Sequence, residues 1–81
     1  NLSVRLGELG RREEAFAAID EAVQVYRDLT RSDPDAFQRD LAGSLNNLSI
    51  RLGELGRREE AFAAIDEAVQ VYRDLTRSDP D

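Results

Sequence analysis

The chain has 81 residues, with 17 acidic side chains against 11 basic ones and a net charge of −6. That is enough for one small domain, and no basic stretch is present to hold nucleic acid or an anionic membrane. Cysteine, histidine, methionine and tryptophan are absent, which removes disulfides, thiolate or imidazole metal ligands and any Ser-His or Cys-His nucleophile. No run approaches the roughly 18 apolar residues of a membrane span and no signal-peptide pattern is present, so the expected compartment is the cytoplasm.

Taken in chain order, residues 2–9 read as the closing part of a helix, with Gly7 and Gly10 placed to end it. A second helix is predicted over 12–31, stopped by Ser32-Asp33-Pro34, because the residue before proline is pushed out of the helical region. A third runs over 34–54. Asp33 can cap it, Pro34 suits its first turn, and Asp35 and Arg39 stand at the i,i+4 spacing of an ion pair. Its apolar stripe is Phe37, Leu41, Leu45, Leu48, Leu52 and Leu55, at three- and four-residue steps. Gly56 is placed to stop it in the left-handed conformation. The last helix, over 58–77, opens with Glu59 and Glu60 and carries Ala61, Phe62, Ile65, Ala68, Val69, Tyr72 and Leu75 on its apolar side. Ala15, Ala18, Ala22, Ala42 and Ser49 flank these stripes, and small residues there let helices pair closely. No window alternates as a strand would, so the fold class is all-α, with antiparallel neighbours joined by short turns.

The chain is also an internal repeat. Residues 47–81 copy residues 1–35 except that Ile50 replaces Val4, a period of 46 residues. Periods between about 20 and 50 residues mark units that bury their apolar faces against one another. The chain opens within a unit and without Met, and reads as a fragment: a partial first repeat over 1–34, then a second repeat with extended helices over 35–81.

The residues Leu45, Leu48, Ser49 and Leu52, then Gly56, Ala61, Ile65, Ala68 and Pro80, resemble the tetratricopeptide repeat (TPR) pattern. Leu2, Ser3, Leu6, Gly10, Ala15, Ile19, Ala22 and Pro34 repeat it. The period is longer than the usual unit of about 34 residues. The run Ser44 to Leu48 resembles kinesin-light-chain-type repeats and the long TPR arrays of actinobacterial regulatory proteins. The resemblance implies a right-handed α-solenoid whose first helices line a concave, peptide-binding groove.

Chemistry finds little to use. Glu13-Glu14 and Glu59-Glu60 are explained by the dipole of a first helical turn, Asp33-Pro34-Asp35 lacks a calcium loop's alternation, and the glycines form no phosphate cradle. No catalytic residue, metal ligand or cofactor is therefore predicted. Asn46 and Asn47 are the best binding candidates, with Asn1 equivalent to Asn47. Paired asparagines are mediocre helix formers, and an exposed amide can donate to and accept from a peptide backbone. A solvated or inter-repeat hydrogen bond is the other reading. The resemblance adds Gly43, Ile50, Gly53 and Glu54 to the same face, with Arg51 at its edge. Because Gly43, Asn46 and Ile50 stand where a chaperone-tail binder carries cations, an acidic chaperone tail is not the expected partner.

The leading functional expectation is a non-enzymatic protein-interaction scaffold, part of a larger protein, taking a peptide or helix of unknown identity. One alternative is a structural module that stacks end to end through Leu2, Leu6, Val69 and Tyr72, leaving Phe16, Ile19 and Val23 under-covered at its start. A weaker one is a regulatory array attached to an absent catalytic domain.

Overall fold

A computed structural model describes the backbone of residues 2–78 and the side chains of residues 7–77. It contains three helices: α1 (Leu2–Ser32), α2 (Pro34–Glu54) and α3 (Arg58–Ser78). There is no strand among the described residues. Helix α2 packs against both of its neighbours, and α1 and α3 meet only through side chains that reach past it.

Both turns follow from local chemistry. Asp33 alone separates α1 from α2. Its amide donates to the Leu29 carbonyl at 2.9 Å, closing the first helix, and its carboxylate accepts from the Ala36 amide at 3.3 Å, capping the second. Pro34 stands in the first turn of α2, where a missing amide hydrogen costs nothing. At the other end Gly56 adopts φ +76°; the Arg57 amide reaches the Leu52 carbonyl at 2.9 Å and the Gly56 amide reaches Gly53 at 3.0 Å. Those two bonds make a Schellman cap, which needs a residue without a Cβ at the left-handed position.

The expected break between residues 9 and 12 is absent. Helix α1 runs straight through Leu9, Gly10 and Arg11, so Gly7 and Gly10 lie inside a 31-residue helix. The sequence from Arg5 to Ala15 is identical to that from Arg51 to Ala61, which does turn. The difference is tertiary. The helix entering the Gly56 turn is walled on both flanks, whereas the segment entering Gly10 has α1 as its only wall to fold against. Unsupported, that segment keeps its helical hydrogen bonds and projects beyond the end of α2. At 1.5 Å per residue α1 is about 46 Å long against about 32 Å for each partner.

The core is centred on α2. Leu41, Ala42, Leu45, Leu48 and Leu52 are buried with Val23 of α1 and Ala64 and Ala68 of α3, and Phe16, Ile19, Tyr26, Ala61 and Val71 pack around them. Each fully buried Leu or Val contributes about 1.5–3 kcal/mol, so α2 supplies most of the stabilisation. Phe16, Ile19 and Val23 are therefore not under-covered, as the sequence reading held; they form the face of α1 that α2 covers. On α3 the equivalents of that face lie open: Phe62 is 73% exposed, and Val69 and Tyr72 are exposed too. The open face of α1 is instead its alanine side, with Ala18 and Val25 exposed where their equivalents Ala64 and Val71 pack into the core.

Candidate interaction surface

Because α2 is walled on two sides, only one narrow strip of it reaches solvent. At 3.6 residues per turn, Gly43, Asn46, Asn47, Ile50 and Glu54 fall within an arc of about 100°, and all five are exposed. Gly53 borders this arc. The leucines of the core occupy the opposite arc, so the period that buries Leu41, Leu45, Leu48 and Leu52 is also what presents the asparagines. Ile50 is 49% exposed. Neither Asn46 nor Asn47 makes a side-chain hydrogen bond among the described residues, so both amides are available to a ligand.

The strip has charged borders. Arg51 bonds Glu54 at 3.3 Å, while its buried Nε has no partner. Arg39 and Asp40 continue the strip towards the start of α2, a feature the sequence reading missed. The signal was available, since Arg39 and Gly43 stand four residues apart on one helix. The expected Asp35–Arg39 pair does not form, and both side chains are exposed. Exposed i,i+4 pairs are worth only about 0.3–0.5 kcal/mol, so leaving this one open costs little. Arg39 is thereby left as a free cation beside the asparagines.

Two long-range contacts tie the helices together behind this strip. Arg27 of α1 grips Glu67 of α3 with two bonds, Nε to Oε2 at 3.2 Å and Nη2 to Oε1 at 2.6 Å. The guanidinium of Arg57 lies 4.7 Å from the centroid of the Phe16 ring and also bonds Glu60. No cluster of three or more candidate metal ligands occurs among the described residues. No described helix is long and apolar enough to cross a membrane. Of the residues expected at a stacking seam, Val69 and Tyr72 are exposed, while the side chains of Leu2 and Leu6 lie outside the described residues.

With helix-turn-helix geometry in place, comparison with known families is decisive. The tetratricopeptide repeat profile matches residues 1–33 and again residues 41–79. The chain belongs to the tetratricopeptide repeat family. The two matches end at equivalent positions of the two copies, Asp33 and Asp79. No curated protein and no solved structure matches the chain. Tetratricopeptide repeats in general mediate protein–protein interactions and are non-catalytic modules.

Proposed function

We propose that this tetratricopeptide unit is a protein-interaction scaffold that takes an extended peptide or a helix along the exposed strip of α2. The observation that carries the reading is the set of unpaired amides of Asn46 and Asn47 beside the exposed Ile50, on a helix otherwise buried on both flanks. An amide that donates and accepts can pair with any peptide backbone, which gives affinity tolerant of sequence. Ile50 adds an apolar contact, and Gly43, which has no other side chain within 4 Å of where a Cβ would stand, lets a backbone approach closely. Arg39 and Asp40 at one end and Glu54 at the other set the charge that a ligand must match.

The test is a selection of peptides from a random display library on the intact chain, followed by calorimetry and backbone-amide NMR. Binding should shift the amides of Gly43, Asn46, Asn47, Ile50 and Glu54. Asn47→Ala should weaken it by about 0.5–1.5 kcal/mol, the net worth of one hydrogen bond, with unfolding unchanged. Selected peptides that map elsewhere, or affinity indifferent to Asn47→Ala and Ile50→Asp, would overturn the reading.

A further inference from the structure

On the side of α2 away from the exposed strip, α1 and α3 stand apart and are bridged only by side chains. Small residues keep the space between them open, with Ala63 exposed and Ala64 buried on α3. The result is a cleft of about 330 Å³, near the lower end of the roughly 300–1,000 Å³ of small-molecule sites. Leu48 and Leu52 form its floor, about 160° around α2 from the middle of the strip. Every residue that lines it falls between Phe16 and Glu67, so all its walls lie within the described packing of the three helices.

Five charged side chains stand around this floor, and four of them are paired. Arg27 occupies both oxygens of Glu67. Arg57 occupies both oxygens of Glu60 while its guanidinium covers the Phe16 ring. Asp20 of α1 is the fifth. It is half-buried, lines the cleft, and has no hydrogen bond or ion pair among the described residues. Two guanidiniums therefore face three carboxylates, and the uncompensated charge sits on Asp20.

We infer that this cleft is a second binding surface, on the reverse side of the chain from the strip, and that it takes an arginine side chain presented by a protein partner. The inference does not rest on peptide binding along α2. Charge selects the occupant. A cation meets the open carboxylate, whereas an anion meets Asp20 and two guanidiniums that are already neutralised. An apolar side chain would strip water from Asp20 and give it nothing in return, which is costly for a carboxylate. Both oxygens of Asp20 are open, so the planar fork of a guanidinium can take two at once, as an ammonium cannot. The methylenes of an arginine can then lie along Leu48 and Leu52, a floor that a small free cation would leave uncovered. The net charge of −6 draws such a basic partner from a distance.

The test is an NMR titration of the intact 81-residue chain with Nα-acetyl-arginine methylamide and with its citrulline analogue, which has the same shape and no charge. The arginine probe should shift the backbone amides of Asp20, Ala63, Ala64 and Glu67 and leave Asn46, Asn47 and Ile50 unmoved. The citrulline probe should bind about five- to tenfold more weakly, and so should methylguanidinium, which keeps the charge and loses the stem. Asp20→Asn should weaken the arginine probe about five- to tenfold. Asp66→Asn is the matched control, because Asp66 is the counterpart of Asp20 one period on, exposed and outside the cleft; it should change nothing. No shift at these amides, an equal response to citrulline, or equal affinity for the arginine probe in the two Asn variants would each overturn the inference. Methylguanidinium bound as tightly as the arginine probe would assign the cleft to small cations and overturn it too. Neither variant touches the strip of α2, so the two surfaces stand or fall separately.

Discussion

Arg27 and Glu67, forty residues apart, form a two-bond ion pair that joins α1 to α3 across the helix between them. Neither end is deeply buried, with side chains 35% and 38% exposed, so solvent screens the charge and geometry supplies much of the value. The pair links the two outer helices across α2, whose packing against each of them places all three.

A double-mutant cycle should place this pair at the upper end of exposed bridges. Arg27→Ala and Glu67→Ala in urea denaturation should give a coupling of about 0.5–1 kcal/mol that shrinks in high salt. Zero coupling at low salt would mean the bridge contributes nothing to how the units sit together.

The two glycines should respond with opposite sign. Gly56→Ala forces a Cβ into the left-handed region and should cost about 1–2 kcal/mol. Gly10→Ala, in a straight helix, should add about 0.5–1 kcal/mol of stability in dilute solution. Thermal melts of the two variants, run side by side, provide the check. Destabilisation by Gly10→Ala at low concentration would mean that the first copy turns as the second does.

Phenylalanine offers a second matched pair. Phe16→Ala removes a half-buried ring and its contact with Arg57, for an expected loss of about 1–3 kcal/mol, below the value for a fully buried ring. Phe62→Ala changes a ring that is 73% exposed and should stay within about 0.5 kcal/mol of the parent. Equal losses in chemical denaturation would contradict the assignment of covered and open faces.

Along α2 itself, stability and binding should separate by helical face. Leu45→Ala opens a cavity in the centre of the core and should cost about 2–5 kcal/mol. Ile50→Ala should leave the melting curve nearly unchanged and act only on ligand affinity. A large stability loss from Ile50→Ala would place that residue in the core after all.

These contrasts also mark where sequence reasoning reaches and where it stops. The ends of α2 and α3 were legible because they rest on local chemistry: Asp33 before Pro34, and Gly56 at the left-handed position. The helical side of the strip was legible too, since burying Leu41, Leu45, Leu48 and Leu52 leaves Asn46, Asn47 and Ile50 on the far side. Gly10 was not, because an identical stretch turns or runs straight according to what walls the helix before it. Nor could the identical stretches of α1 and α3 tell which of their faces would be covered; α1 buries Val23 with Phe16 packed beside it, α3 buries Ala64 and Ala68. Arg27 and Glu67 meet only once one unit sits against the next. Asp35 and Arg39 had the right spacing but do not pair, and spacing alone does not decide a contact worth a few tenths of a kcal/mol.

One twenty-residue text thus satisfies two different neighbours, its aromatic side in α1 and its alanine side in α3. A substitution that improves one role is tested by the other as soon as it is copied, which resists drift between the units. Gain or loss of a whole 46-residue unit leaves each remaining junction with the partners it already had. Insertion of a single residue within one helix would instead rotate the later side chains of that helix by about 100° and misalign the face it packs with.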